Sequence, residues 1–194
     1  MASVLVPLAP GCEELEAVTI IDLLRRAHIQ VSSAGLAPGP VTCSRGTIII
    51  PDTTLTQALQ QEFDMIVLPG GQPGATNLKN DARIIQLLQS MARSGKYIAA
   101  ICAAPTVLAH AGLLAGKRAT AYPGALEGVG HGAINISQET IVIDDKIITS
   151  RGPGTAMDFA LELIRVLVGK EKRDGVETAL ARPTGHAVAL LSKD

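Results

Sequence analysis

The chain has 194 residues, a formal net charge of −1 and a pI near 6.4, with 47% apolar residues but only 2% aromatic ones. That length suits a single domain, 1–194, ending in a tail from about 183 to 194, and a core of Val, Ile, Leu and Ala needs neither disulfides nor metal. The absence of a basic stripe and of an aromatic ladder argues against nucleic acid. Three cysteines without a CxxC pair (Cys12, Cys43 and Cys102) argue against a disulfide framework and for a reducing, cytoplasmic setting.

The first residues, Met1 to Pro10, lack a basic n-region and are interrupted by Pro7 and Pro10, so no signal peptide is expected. Ser3–Leu8 reads as an apolar strand, followed by a helix from about Glu13 to Ala27 with Leu15, Val18, Ile21 and Leu24 on helical spacing. Gln30–Ala34 reads as a strand, and Val41–Ser44 with Thr47–Ile50 as a hairpin turning at Arg45-Gly46. Asp64–Pro69 is a strand whose centre (Met65, Ile66, Val67, Leu68) is fully apolar, stopped by Gly70-Gly71, and Asn80–Arg93 an amphipathic helix carrying Ile84, Leu87, Leu88 and Met91.

The uncharged stretch from Tyr97 to Gly116 is long enough to cross a bilayer, but Pro105, His110 and Gly112 interrupt it. It reads instead as a buried strand, Tyr97–Ile101, a tight turn and a helix, Ala104–Ala111, so no membrane partner is expected. Arg118–Ala121, Ile141–Ile143 and Ile147–Ser150 read as strands, the last two joined at Asp144-Asp145. Gly154–Val168 reads as a helix with Ala156, Phe159, Ala160, Leu163 and Leu167 on one stripe. Apolar strands alternating with amphipathic helices predict an α/β, flavodoxin-like, doubly wound fold, its mostly parallel sheet covered by helices on both faces. In such folds sites form beyond the carboxyl ends of the strands.

Three strand ends carry the candidate chemistry. Cys102 sits between an apolar strand and the small residues Ala103 and Ala104, with Pro105 suited to a first helical turn. This resembles a nucleophile elbow, and a helix N-terminus there is expected to favour the thiolate. A buried core cysteine is the plainer alternative; the turn context favours function. Backbone N–H groups at Gly70-Gly71 are candidates for half of an oxyanion hole, the other half being Ala103 N–H. Alone, a Gly-Gly pair is an ordinary turn. Glu13, Glu14 and Glu16 open a helix, where acids complement the dipole, and composition leaves open which of them, if any, faces inward. Cys12 and Cys43 have no comparable setting and read as structural or oxidisable thiols.

The segments APGCEELEAV, VTCSRG, IVLPGGQPGATNL, AAICAAPTVLA and TSRGPGTAMDFAL run in this order between about Ser3 and Arg173. Together they resemble the ThiJ/PfpI superfamily, in particular its parkinsonism-associated deglycase (DJ-one) branch and the bacterial YajL-like proteins. The resemblance implies a flavodoxin-like homodimer with Cys102 as nucleophile, Glu16 as its adjacent acid, and Gly71 and Ala103 as oxyanion donors. It places Gly70, Arg45, Tyr122, Arg151 and Pro153 near a pocket or dimer interface. Where many members carry a histidine before a proline, this chain has Tyr122-Pro123. His28 and His110 read as helical, His186 lies in the tail, and His131 is the one loop histidine that could compensate. Without an imidazole beside the thiol, a Cys-His peptidase or amidase is the weaker reading. The implied activity is a cysteine-dependent glyoxalase or protein deglycase acting on methylglyoxal, glyoxal and glycated proteins, with no cofactor and no metal. The alternative is a redox-sensing chaperone whose Cys102 is oxidised without turnover.

Overall fold

Alternating apolar side chains in the central strands reach opposite faces of one sheet, and each face is covered by its own set of helices. The computed structural model describes residues 1–129 and 132–182. In chain order these form β1 (Ser3–Leu8), α1 (Glu14–Arg26), β2 (Gln30–Gly35), β3 (Val41–Thr42), β4 (Ile48–Ile49), β5 (Thr53–Thr54), α2 (Leu55–Ala58), β6 (Met65–Leu68) and α3 (Gly74–Asn80). The second half adds α4 (Ala82–Arg93), β7 (Tyr97–Ile101), α5 (Pro105–His110), β8 (Arg118–Ala119), β9 (Asn135–Ile136), β10 (Ile141–Asp144), β11 (Ile147–Ser150), α6 (Ala156–Val168) and α7 (Lys170–Ala179).

The main sheet runs β10-β11-β7-β6-β1-β2-β5 and is parallel except for the β10–β11 hairpin. Val4 and Val6 of β1, Val67 of β6 and Ala99 of β7 pack with Ile20 and Leu24 of α1 and Phe159 and Leu163 of α6. Their neighbours Leu5, Ile66 and Ile98 face the other way, onto Leu78, Ile84, Leu88 and Leu108. A sheet covered on both faces is the expected doubly wound α/β arrangement. From β1 the chain goes first to β2 on one side and later to β6 on the other, so the order reverses between β1 and β6. A crevice opens at such a switch point, beyond the carboxyl ends of the strands.

Several expectations change. On α1 the buried residues are Glu16, Ala17, Ile20, Leu23 and Leu24, whereas Leu15 and Val18 stand 51% and 50% exposed. The helix carries two apolar stripes, and α6 packs on the one containing Ile20 and Leu24. His28 follows α1 in a turn with φ 59° rather than extending it. The helix expected over Asn80–Arg93 is interrupted at Asp81, whose extended backbone caps α4 through its carboxylate and the Arg83 N–H at 2.9 Å. Tyr97–Gly116 divides into β7 and the short α5, and no helix among the described residues is long and apolar enough to cross a membrane.

Candidate active site

Cys102 directly follows β7, and its φ of 63° is unusual for a side chain larger than glycine. The backbone is pinned on both sides. Its N–H donates to the Ser150 carbonyl at 3.0 Å, and its carbonyl accepts from Tyr122 N–H at 2.8 Å. Strain of this kind persists where the surroundings fix it, and at an elbow it lifts the side chain into the crevice. The residue is 9% exposed.

The end of β6 comes close from below. A Cβ on Gly70 would stand 2.6 Å from Cys102 Cβ and 2.9 Å from Ala103 N, so only glycine allows this approach. Gly71 has φ +86°, and a Cβ there would meet Glu13 N at 2.4 Å. The Gly71 and Ala103 N–H groups both lie near enough to the Cys102 sulfur to favour its thiolate.

The three glutamates left open by sequence go to different places. Glu13 accepts from Ser44 Oγ at 2.8 Å, on the loop after β3. Glu14 turns to the same loop and accepts from the N–H groups of Arg45 at 3.1 Å and Thr47 at 3.3 Å. Against a burial contribution that raises it, these backbone donors hold Glu14 down at about 2. Glu16 turns inward and is fully buried, the one charged side chain buried among the described residues. Its Oε2 accepts from Gly70 N–H at 2.7 Å, while Oε1 has no conventional partner.

Burial raises Glu16 to about 7, opposed by the Gly70 N–H and by the neighbouring Cys102 thiol, with Glu13 adding a further upward push. Burial also pushes Cys102 up to about 12, reinforced by the Glu16 charge and opposed by the Gly71 and Ala103 N–H groups. The expectation that a helix end lowers this thiol is therefore overturned. Six residues of α5 give a weak dipole, and desolvation with a neighbouring carboxylate outweighs it. Thiol and carboxyl share a proton, so when Glu16 holds it the charge opposing the thiolate is gone.

Beside the elbow lies a cavity of about 320 Å³ lined by Tyr122, Pro123, Glu127, Ile136, Gln138 and Arg151 among others. Arg151 Nη1 donates to the Gln138 carbonyl at 3.1 Å. Gly152 separates the cavity from the thiol: a Cβ there would lie 3.5 Å from Tyr122 Cδ2 and 4.0 Å from Cys102 Sγ. Its φ of 166° is ordinary extended backbone, so the glycine keeps space rather than conformation. The resemblance covers Gly152 only as part of the Arg151-Gly152-Pro153-Gly154 stretch near the pocket or interface, with no role of its own; the local signal was a glycine soon after a strand end. Pro153 starts the 3-10 turn Pro153–Thr155 and, like the exposed Arg45 on the β3–β4 hairpin, does not line the cavity. A larger cavity of about 600 Å³ lies among α1, α6 and α7, lined by Arg26, Val168, Lys172 and Val176, and holds no nucleophile.

No histidine among the described residues perturbs Cys102; His28 and His110 are both exposed. His131 and His186, like the tail from 183 to 194, fall outside the described residues. No group of three or more metal-ligating side chains occurs among the described residues.

Comparison with known proteins gives a consistent picture. The DJ-1/PfpI family matches residues 2–166. Protein dj-1beta of Drosophila melanogaster is 46% identical over 179 residues, covering 92% of this chain and 96% of its own. Its crystal structure superposes with a TM-score of 0.87, at 45% identity over 92% of this chain and 97% of the other. The glutathione-independent glyoxalase DJR-1.2 of Caenorhabditis elegans is 39% identical over 175 residues, 90% of this chain and 93% of its own. The structure of oxidized Toxoplasma gondii DJ-1 gives a TM-score of 0.88, at 39% identity over 93% of this chain and 98% of the other.

Proposed function

The chain belongs to the DJ-1/PfpI family, and from that premise we propose that it is a cofactor-independent, cysteine-dependent glyoxalase and protein deglycase. The observation that carries the reading is Glu16, fully buried beside the Cys102 thiol with Oε1 free of any other partner. A carboxyl raised to about 7 holds or releases a proton near neutral pH, as a general acid–base group should. Relatives include one named a glutathione-independent glyoxalase, which supports a small dicarbonyl as substrate.

Cys102 passes its proton to Glu16 and the thiolate adds to the aldehyde carbon of methylglyoxal, forming a hemithioacetal. The oxyanion takes over the N–H groups of Gly71 and Ala103, which favour the thiolate in the free enzyme. Glu16 then gives the thiol's proton to the former ketone oxygen, takes the proton from the former aldehyde carbon and returns it to the former ketone carbon, leaving a thioester of lactate and a free carboxylate. Water releases lactate and restores the thiol, so the net reaction is methylglyoxal plus water to lactate. A glycated side chain enters by the same attack, its adduct extending past Gly152 into the Tyr122–Arg151 cavity. Lactate formation without added glutathione by the wild type, and none by Cys102→Ser, is the deciding measurement. Turnover retained in Cys102→Ser ends the proposal.

A second reading has one observation behind it: the same carboxyl would hydrogen-bond a sulfinate formed on Cys102, making it a redox sensor. Protection of a client protein with no carbonyl turnover would favour that reading. We further place the protein in the cytoplasm, where three free thiols persist, and propose a homodimer joined through the second apolar stripe of α1.

A further inference from the structure

Two buried thiols remain that the chemistry at Cys102 does not use. Cys12 follows the end of β1 and is fully buried; Cys43 follows β3 and is 5% exposed. Their sulfurs are 3.6 Å apart. We propose that Cys12 and Cys43 form a reversible intramolecular disulfide, a second redox centre independent of the Cys102 reaction.

The backbone already holds the pair in register. Gly11 N–H donates to the Thr42 carbonyl and Ser44 N–H to the Cys12 carbonyl, each at 2.8 Å, one bond on either side of the two cysteines. Ser44 Oγ on Glu13 and Arg45 N–H on Glu14 fasten the same loop to the start of α1. A disulfide needs sulfurs about 2.05 Å apart, so closure takes about 1.5 Å of combined approach, within reach of side-chain torsions. On the far side Cys12 has no slack, since a Cβ on Gly74 would meet its backbone N at 2.5 Å.

The pair also has a direction. Burial raises both thiols, and the nearby Glu13 and Glu14 carboxylates add to this at Cys43, Glu14 alone at Cys12. Within the pair either sulfur can be the donor, and Cys43 is the one an oxidant can reach, 5% exposed against 0% for Cys12. Cys43 is thus the attacking sulfur and Cys12 the resolving one. With a hydroperoxide as oxidant, the Cys43 thiolate attacks the peroxide oxygen, giving a sulfenic acid and water or an alcohol. Cys12 sulfur then attacks Cys43 sulfur, the S–O bond breaks, and the leaving hydroxide departs with the Cys12 proton as water. Two electrons pass from the thiols to the peroxide, and a dithiol reductant returns them.

Tryptic mapping tests this directly, because Cys12, Cys43 and Cys102 fall in separate peptides, 1–25, 27–45 and 97–117. Full-length wild type, Cys102→Ser and Cys43→Ala are treated with hydrogen peroxide, denatured, alkylated and digested without reductant. A 1–25/27–45 linked peptide should appear from the 20.1 kDa band of a non-reducing gel, in the wild type and equally in Cys102→Ser. It should vanish with dithiothreitol and be absent from Cys43→Ala. Because Cys102→Ser carries the same link, the result stands apart from the fate of the glyoxalase reading. Complete alkylation of Cys12 and Cys43 at a dose that fully oxidises Cys102, or links found only to Cys102 or between chains, would overturn the proposal.

Discussion

Gly70 N–H donates to Glu16 Oε2 at 2.7 Å, and the same glycine lies so close to Cys102 that a Cβ on it would stand 2.6 Å from the cysteine Cβ. One residue at the end of β6 therefore fixes both the orientation of the acid and its distance from the thiol. Oε1 is left free of the backbone and available to the sulfur.

That coupling sets how the thiol responds to pH. Alkylation of Cys102 should outpace that of Cys12 and Cys43, which burial also pushes up and which lie deeper. In the wild type the Cys102 rate should climb through about pH 7, as the pair drops to one shared proton. In Glu16→Gln the carboxyl no longer takes that proton, so the climb should move to higher pH. Peptide-resolved iodoacetamide kinetics from pH 5 to 10 read this out; equal labelling of the three cysteines would remove Cys102 from its role.

Glu16→Gln should lower kcat/KM for methylglyoxal by about a hundredfold or more, the usual scale for general acid–base work. Glu13→Gln and Glu14→Gln should leave kcat nearly unchanged, because their carboxylates bind Ser44, Arg45 and Thr47 rather than the thiol. Steady-state lactate formation by the three variants decides it, and three equal losses would leave no ground for singling out Glu16.

The same carboxyl contributes to stability with a defined sign. Its pKa is about 7 in the folded chain against 4.5 for the ordinary group, so between these values the native state holds a proton that the unfolded state has lost. Stability should therefore be fully present below about pH 4.5 and fall as pH rises through about 7, by about 3 kcal/mol for this group alone. Urea melts of wild type and Glu16→Gln across pH 5 to 8 should show the variant gaining on the wild type as pH rises. A constant gap would mean that Glu16 titrates normally.

Gly152 offers a test of the cavity. A Cβ there makes ordinary contacts with Tyr122 and Cys102, so Gly152→Ala should fold with wild-type stability while narrowing the passage. Activity on glyoxal should fall less than activity on phenylglyoxal, and Gly152→Val should widen the difference. Parallel losses on both substrates would place bulky adducts elsewhere.

How much of this was legible in the sequence follows from what each residue answers to. The strands around Val6, Val67 and Ala99 and the elbow at Cys102 were readable because apolar runs and a small-residue turn are local signals. α3 escaped because Gly74 to Asn77 carry little apolar pattern; their constraint is the close packing of Gly74 on Cys12. α7 escaped because its sequence is charged throughout, tied by pairs such as Arg173–Glu177, with Val176 alone buried. The inward turn of Glu16 depends on α1 docking over Gly70, and Gly152 matters only through the thiol and ring facing it. Both are tertiary facts with no local pattern.

The last expectation concerns the stripe of α1 that α6 does not cover. Leu15 and Val18 are about half exposed, and Ile48 and Ile50 of the hairpin are 64% and 81% exposed. Glu14 fastens this hairpin to α1 through Arg45 and Thr47, so the helix and hairpin are held together as one unit. Apolar side chains of this size on one fixed unit cost free energy in water until something covers them. A two-fold axis lets the same surface serve both partners and is the commonest arrangement among homo-oligomers. Light scattering at micromolar concentration should give a mass near twice 20.1 kDa. Val18→Asp, which places a charge at an exposed α1 position and leaves the Ile20 face intact, should return the mass to that of one chain without loss of helical signal. A wild type that already runs as one chain would show that these residues are simply solvated, and Arg45 would then have no partner subunit to face.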